Sequence, residues 1–163
     1  MNQTTQRLPL FESLTAVAAV ALVAALTAMP AGNSAEESDL QLMDQLSLMR
    51  TAIFRFSMDH SSSVGPLWPG QESELLSTQL TDRSRADGST WKRSAGRDDR
   101  WFGPYLESVP GNPLNHRSDI RVDYSSESPV FTGQAGWVYQ PKTGTLWADL
   151  PGQDPRGILY AEY

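Results

Sequence analysis

The sequence predicts an α+β fold in which a long N-terminal helix, apolar in its first part and amphipathic in its second, packs on a small antiparallel sheet. Three observations carry that prediction. Residues 8–30 are almost wholly apolar, and residues 36–59 repeat apolar side chains every three or four positions. Residues 136–150 hold two runs of β-branched and aromatic residues on either side of Gln140, Pro141, Lys142, Thr143 and Gly144. The second pattern has the period of a helix and the third that of strands.

In the first element, residues 13–29 carry no charge and are rich in Ala, Val and Leu. With residues 8–11 the segment reaches the roughly 20 residues that cross a bilayer. Arg7 is the only charged residue before Glu12, and no Lys or Arg follows until Arg50. The positive-inside rule therefore makes residues 1–7 a cytoplasmic tail or leader and 8–30 a transmembrane helix, and puts residues 31–163 outside the cytoplasm. The same segment also fits a cleaved secretion signal, with Arg7 as the basic start, residues 13–29 as the apolar core and Asn33, Ser34 and Ala35 as a small-residue cleavage site. A third reading is a buried core helix.

Pro30, Ala31 and Gly32 interrupt the apolar run, and Ser34 followed by Glu37 has the spacing of a capping box. Leu42, Leu46, Met49, Ile53 and Phe56 then form one apolar stripe, while Asp39, Gln41, Asp44, Gln45 and Arg50 supply the wet face. The serines of residues 57–63 end the pattern. Residues 72–80 predict a short helix with Leu75, Leu76 and Leu80 inward. Residues 81–100 are charged and turn-prone, a solvated loop. In the last element Gly144 closes a turn that leads off from Pro141 and joins two strands. A third strand comes from residues 120–124 or 129–131.

Composition narrows the function. The net charge is -6, and the few basic residues between 83 and 100 are broken up by acids, which argues against nucleic acid as a partner. There is no cysteine, which removes disulfides and thiolate chemistry. No HExxH, GxSxG or phosphate-binding glycine loop occurs, His60 and His116 stand in turn-like surroundings, and Asp149 and Asp154 lack the dense oxygen set of a calcium loop. The expectation is a protein that is not an enzyme and has neither cofactor nor metal site. Asp119 and Asp123 read as solvated charges, and Trp101, Trp137 and Trp147 as sheet and loop core.

Two globular stretches and the N-terminal layout resemble the type IV pilin-like proteins, most closely the major pseudopilin of type II secretion. GPYLESVPGNPLN, residues 103–115, resembles the family's segment between loop and sheet through Gly103, Pro104, Tyr105, Leu106, Pro110, Asn112 and Pro113. GWVYQPKTGTLWA, residues 136–148, resembles its final hairpin through Gly136, Trp137, Tyr139 and Gly144. Glu12 falls where the family has the glutamate that pairs with a neighbouring subunit's amino terminus, and Pro30 falls near the family proline. The resemblance implies leader processing and N-methylation between Arg7 and Leu8, although Arg7 stands in place of the family's glycine. It also implies stem packing through Ala16, Ala19 and Val23, with a prepilin peptidase, an inner-membrane secretion platform and other pilin-like subunits as partners. The resemblance also implies a single-pass inner-membrane protein with residues 31–163 in the periplasm, and the function it implies is a structural filament subunit supporting protein export. The alternatives are an exported soluble binding or adaptor domain with a cleaved signal, and a small exported enzyme.

Overall fold

Leu42, Leu46, Met49, Ile53 and Phe56 form the buried face of a helix, α1 (Gly32–Asp59), 28 residues long. The computed structural model describes residues 32–62, 65–71, 75–90 and 100–163. The chain divides into two compact units, Met1–Glu36 and Glu37–Tyr163, and the core and every element after α1 belong to the second. After α1 come two short strands, β1 (Ser61–Ser62) and β2 (Gly65–Pro66), paired antiparallel. A one-and-a-half-turn helix, α2 (Leu76–Thr81), leads to β3 (Ser84–Arg85), which pairs antiparallel with β4 (Trp101–Phe102). The main sheet has the order β5 (Ile120–Val122), β6 (Trp137–Gln140), β7 (Thr145–Ala148), and the described chain closes on a 3-10 turn at Tyr160–Glu162.

The core lies between α1 and the main sheet. Trp137 and Tyr139 from β6 and Leu146 and Ala148 from β7 join the α1 stripe, with Leu67, Leu76, Leu80 and Leu106 around them. The hairpin forms as its residues dictate. Gly144 has φ +69°, the left-handed conformation that glycine adopts without strain, and the Trp68 indole lies where a Cβ would project. Its amide donates to the Gln140 carbonyl at 2.9 Å, closing the turn.

The sheet differs from the expected antiparallel one. β5 runs parallel to β6, with Ile120 opposite Trp137 and Val122 opposite Tyr139. Parallel neighbours need a crossover connection of about a dozen residues, and residues 123–136 provide it without a helix. Because this crossover lies over the outer face of β6, all four β6 residues are buried instead of alternating. Gln140 Nε2 reaches the Glu127 carbonyl at 2.6 Å across that face.

A larger correction concerns the helix. α1 begins at Gly32, and its polar face carries Glu36, Glu37, Asp44, Arg55 and Asp59 while its apolar stripe is spent on the domain's own core. Among the described residues no helix is long and apolar enough to cross a membrane. The apolar-led stem, the single-pass inner-membrane placement and the filament subunit built on them are therefore set aside. Residues 1–31, with Arg7, Leu8, Glu12, Ala16, Ala19, Val23 and Pro30, lie outside the described residues.

Smaller corrections have local causes. Leu75 points outward, because α2 starts only at Leu76 rather than at residue 72 and buries Leu76, Gln79 and Leu80. Asp39, expected on the wet face, is buried beside the Tyr160 hydroxyl. Part of the 81–100 loop is ordered by pairing, since Ser84 and Arg85 form a strand and Ser84 bridges to Thr90.

Candidate functional site

α1 has a second apolar face. Leu40, Met43, Phe54 and Met58 are 59%, 41%, 57% and 70% exposed, and the exposed Ser47 and Thr51 lie between them. At roughly 100° per residue these six positions fall within an arc of about 80°, and they run along about 27 Å of helix axis. Single exposed apolar residues are ordinary on protein surfaces, whereas two apolar pairs aligned on one helix face, Leu40 with Met43 and Phe54 with Met58, mark a candidate interaction face. The six positions keep the helical spacing of the buried stripe, but Ser47 and Thr51 break the apolar run, so periodicity alone pointed only to the stripe from Leu42 to Phe56.

Beside this row opens a cleft of about 480 Å³, lined by Met43, Ser47, Arg50, Thr51, Phe54 and Tyr163 among others. Its floor is held rigidly. The Arg50 guanidinium donates to the Leu146 carbonyl through Nε at 3.1 Å and Nη2 at 2.8 Å, and to the Tyr163 carbonyl at 2.6 Å. The Tyr163 ring is fixed in turn, its hydroxyl donating to Asp154 at 2.7 Å. Asp154 also accepts from the amides of Arg156 and Ile158 and from Arg156 Nε. Burial alone would raise its pKa, but these donors hold it well below the usual carboxylate range.

Two further polar clusters were not foreseen. His60 and Ser84 are both buried, with Nε2 and Oγ 2.9 Å apart, and His60 Nδ1 lies 2.7 Å from the Phe56 carbonyl. A hydroxyl against an imidazole is the geometry of a nucleophile and its base. Here the ring stacks on Phe56 at 3.8 Å and meets Phe102 edge-on, so neither group faces a space that a substrate could enter. Burial lowers the His60 pKa, keeping it neutral, and the pair fastens β3 to the end of α1. The buried Asp149 carboxylate accepts from the amides of Thr132 and Ala135 at 2.7 and 3.0 Å and from the Thr132 hydroxyl at 3.0 Å, with Arg121 at 3.4 Å. Burial would raise its pKa, and these donors bring it below the ordinary value. It pins the crossover that makes β5 parallel. Among the described residues no group of three or more His, Asp or Glu side chains converges as metal ligands would.

The globular motif residues serve as joints between loop and sheet. Asn112 is buried, donating to the Gly136 carbonyl at 2.9 Å and accepting from the Leu114 amide at 3.0 Å. Trp137 Nε1 donates to the Pro110 carbonyl at 2.9 Å. Gly136 is required by close approach, because a Cβ there would run into the Arg117 carbonyl. Tyr105 and Leu106 donate their amides to the Leu80 carbonyl, and the Tyr105 hydroxyl donates to Asp59 at 2.9 Å. Gly103 takes φ +74° at the bend, Pro104 is exposed, and Pro113 is half-buried. None of these residues lies on the outer face of α1.

Fold and face together define the class, a small α+β domain with a helix presenting an exposed, largely apolar row. No family model, curated protein or solved structure matches the chain.

Proposed function

We propose that this chain acts as an exported protein-binding or adaptor domain, working through the outer face of α1 on a partner that presents an apolar helix. The observation that carries this reading is the row of Leu40, Met43, Phe54 and Met58, exposed on a helix whose opposite face is locked into the core. A rigid helix loses little conformational entropy on docking, so its apolar area counts towards affinity. Export is supported by a coincidence of boundaries. The compact unit begins at Glu37, two residues after Ala35, and the signal reading places cleavage at Asn33, Ser34 and Ala35.

The test is mass spectrometry of the mature N-terminus, with the protein recovered from outside the cytoplasm. A start near Glu36 is expected. A chain that retains Met1, or one that begins at Leu8, would overturn the export reading.

A further inference from the structure

We propose that the outer face of α1 binds a second copy of this chain, its helix lying antiparallel across a two-fold axis that passes between Ser47 and Thr51, level with Met49 along the helix. This rests on the reading of that face as the binding surface and names its occupant.

The row is close to a palindrome. Leu40 and Met58 stand equally far from Met49, as do Ser47 and Thr51, and Met43 and Phe54 match within one residue. An interface between identical copies has to be self-complementary, residue i meeting residue j while j meets i. Antiparallel pairing meets that condition. It sets Leu40 of one protomer against Met58 of its partner and Met43 against Phe54, with Ser47 and Thr51 at the crossing. Small side chains at the crossing let the two helices approach closely, and the larger apolar ones then close the ends of the contact.

Charge points to the same orientation. Asp44 and Arg55 flank the row on one side, nearly equidistant from Met49, and neither forms an ion pair among the described residues. The two-fold axis of an antiparallel pair keeps that flank on the same side in both copies. Asp44 of each protomer then meets Arg55 of its partner, twice over. Parallel pairing would bring opposite flanks together and separate these charges. A single pair of helices of this length lies at the small end of stable interfaces, which implies a reversible dimer in the micromolar range.

The experiment uses the mature protein as cells produce it, followed by sedimentation velocity over a concentration series. A monomer–dimer equilibrium is expected. Phe54→Ser should weaken it about tenfold without lowering the melting temperature, since that side chain is exposed. Asp44→Arg and Arg55→Asp should each weaken it about three- to tenfold, and the double variant should recover most of the loss. Orientation is read with cysteines, which the natural chain lacks. Leu40→Cys mixed with Met58→Cys should form a disulfide between protomers, and Leu40→Cys alone should not.

A dimer linked through Leu40→Cys alone would overturn the antiparallel arrangement. A dimer indifferent to Phe54→Ser and to both charge changes lies elsewhere and also overturns it. A monomer at every concentration overturns it too, leaving the face to a different protein. Failure here is separable from failure of the export reading. A monomer starting near Glu36 removes only the dimer, and a dimer retaining Met1 removes only export.

Discussion

Arg50 and Leu146 are 96 residues apart in sequence, yet the guanidinium of one clasps the carbonyl of the other with two hydrogen bonds. This joins the middle of α1 to the last strand, and a third bond from the same guanidinium holds the Tyr163 carbonyl. Charge-assisted bonds of this kind are stronger than neutral ones, and the fork geometry belongs to arginine alone. Arg50→Met should keep the packing of the stem and lose the donors, costing about 2–3 kcal/mol. Arg50→Lys should recover only part of that. The midpoint of urea denaturation measures both, and an unchanged midpoint in Arg50→Met would show that the clasp contributes nothing.

His60 gives the fold a pH dependence whose sign is set by burial. Its folded pKa lies below the usual histidine value, so above about pH 6.5 folded and unfolded chains both hold it neutral. Below that pH the unfolded chain takes up the proton first, and stability falls as the pH drops through the folded value. The melting temperature should therefore decline between pH 7.5 and 5.5 in the natural protein. In His60→Gln that decline should flatten. An equal slope in both would place the titrating group elsewhere.

Gly144 combines a left-handed backbone with the Trp68 indole directly against it. Gly144→Ala has to displace the indole as well as accept the strained φ, and should cost about 1–3 kcal/mol. Tryptophan fluorescence of the folded variant should change along with the denaturation midpoint. A midpoint equal to that of the natural protein would mean that the turn relaxes freely.

Tyr139 is fully buried, and its hydroxyl finds no hydrogen-bond partner among the described residues. Burial raises its pKa, so the group stays a neutral phenol. An unsatisfied buried hydroxyl costs about 1–3 kcal/mol, and Tyr139→Phe keeps the ring while removing that cost. The variant should melt at or above the temperature of the natural protein. A loss of more than about 1 kcal/mol would mean that the hydroxyl has a partner after all.

What the sequence determined by itself is whatever depends on local period and turn chemistry. The buried stripe of α1 from Leu42 to Phe56, its end at Asp59, and the hairpin that turns at Gly144 all arise from spacing and from single-residue backbone preferences. A third strand was expected at residues 120–124 or 129–131, and the fold takes the first, at Ile120–Val122, but neither that choice nor its parallel partnership with β6 was legible. Orientation is decided by the path of the crossover, and that path is held by Asp149 gripping Thr132 and Ala135 from the far side of the sheet. The burial of Asp39, the pairing of His60 with Ser84 and the clasp of Arg50 on Leu146 belong to the tertiary structure alone. A polar side chain carries no mark of which distant carbonyl, amide or hydroxyl will satisfy it, and it is buried only where the fold supplies that partner. The outer face of α1 lies between these cases. Periodicity marks one apolar stripe, Leu42 to Phe56, whereas the outer row from Leu40 to Met58 is broken by Ser47 and Thr51 and stands out only once packing against the sheet leaves it in water.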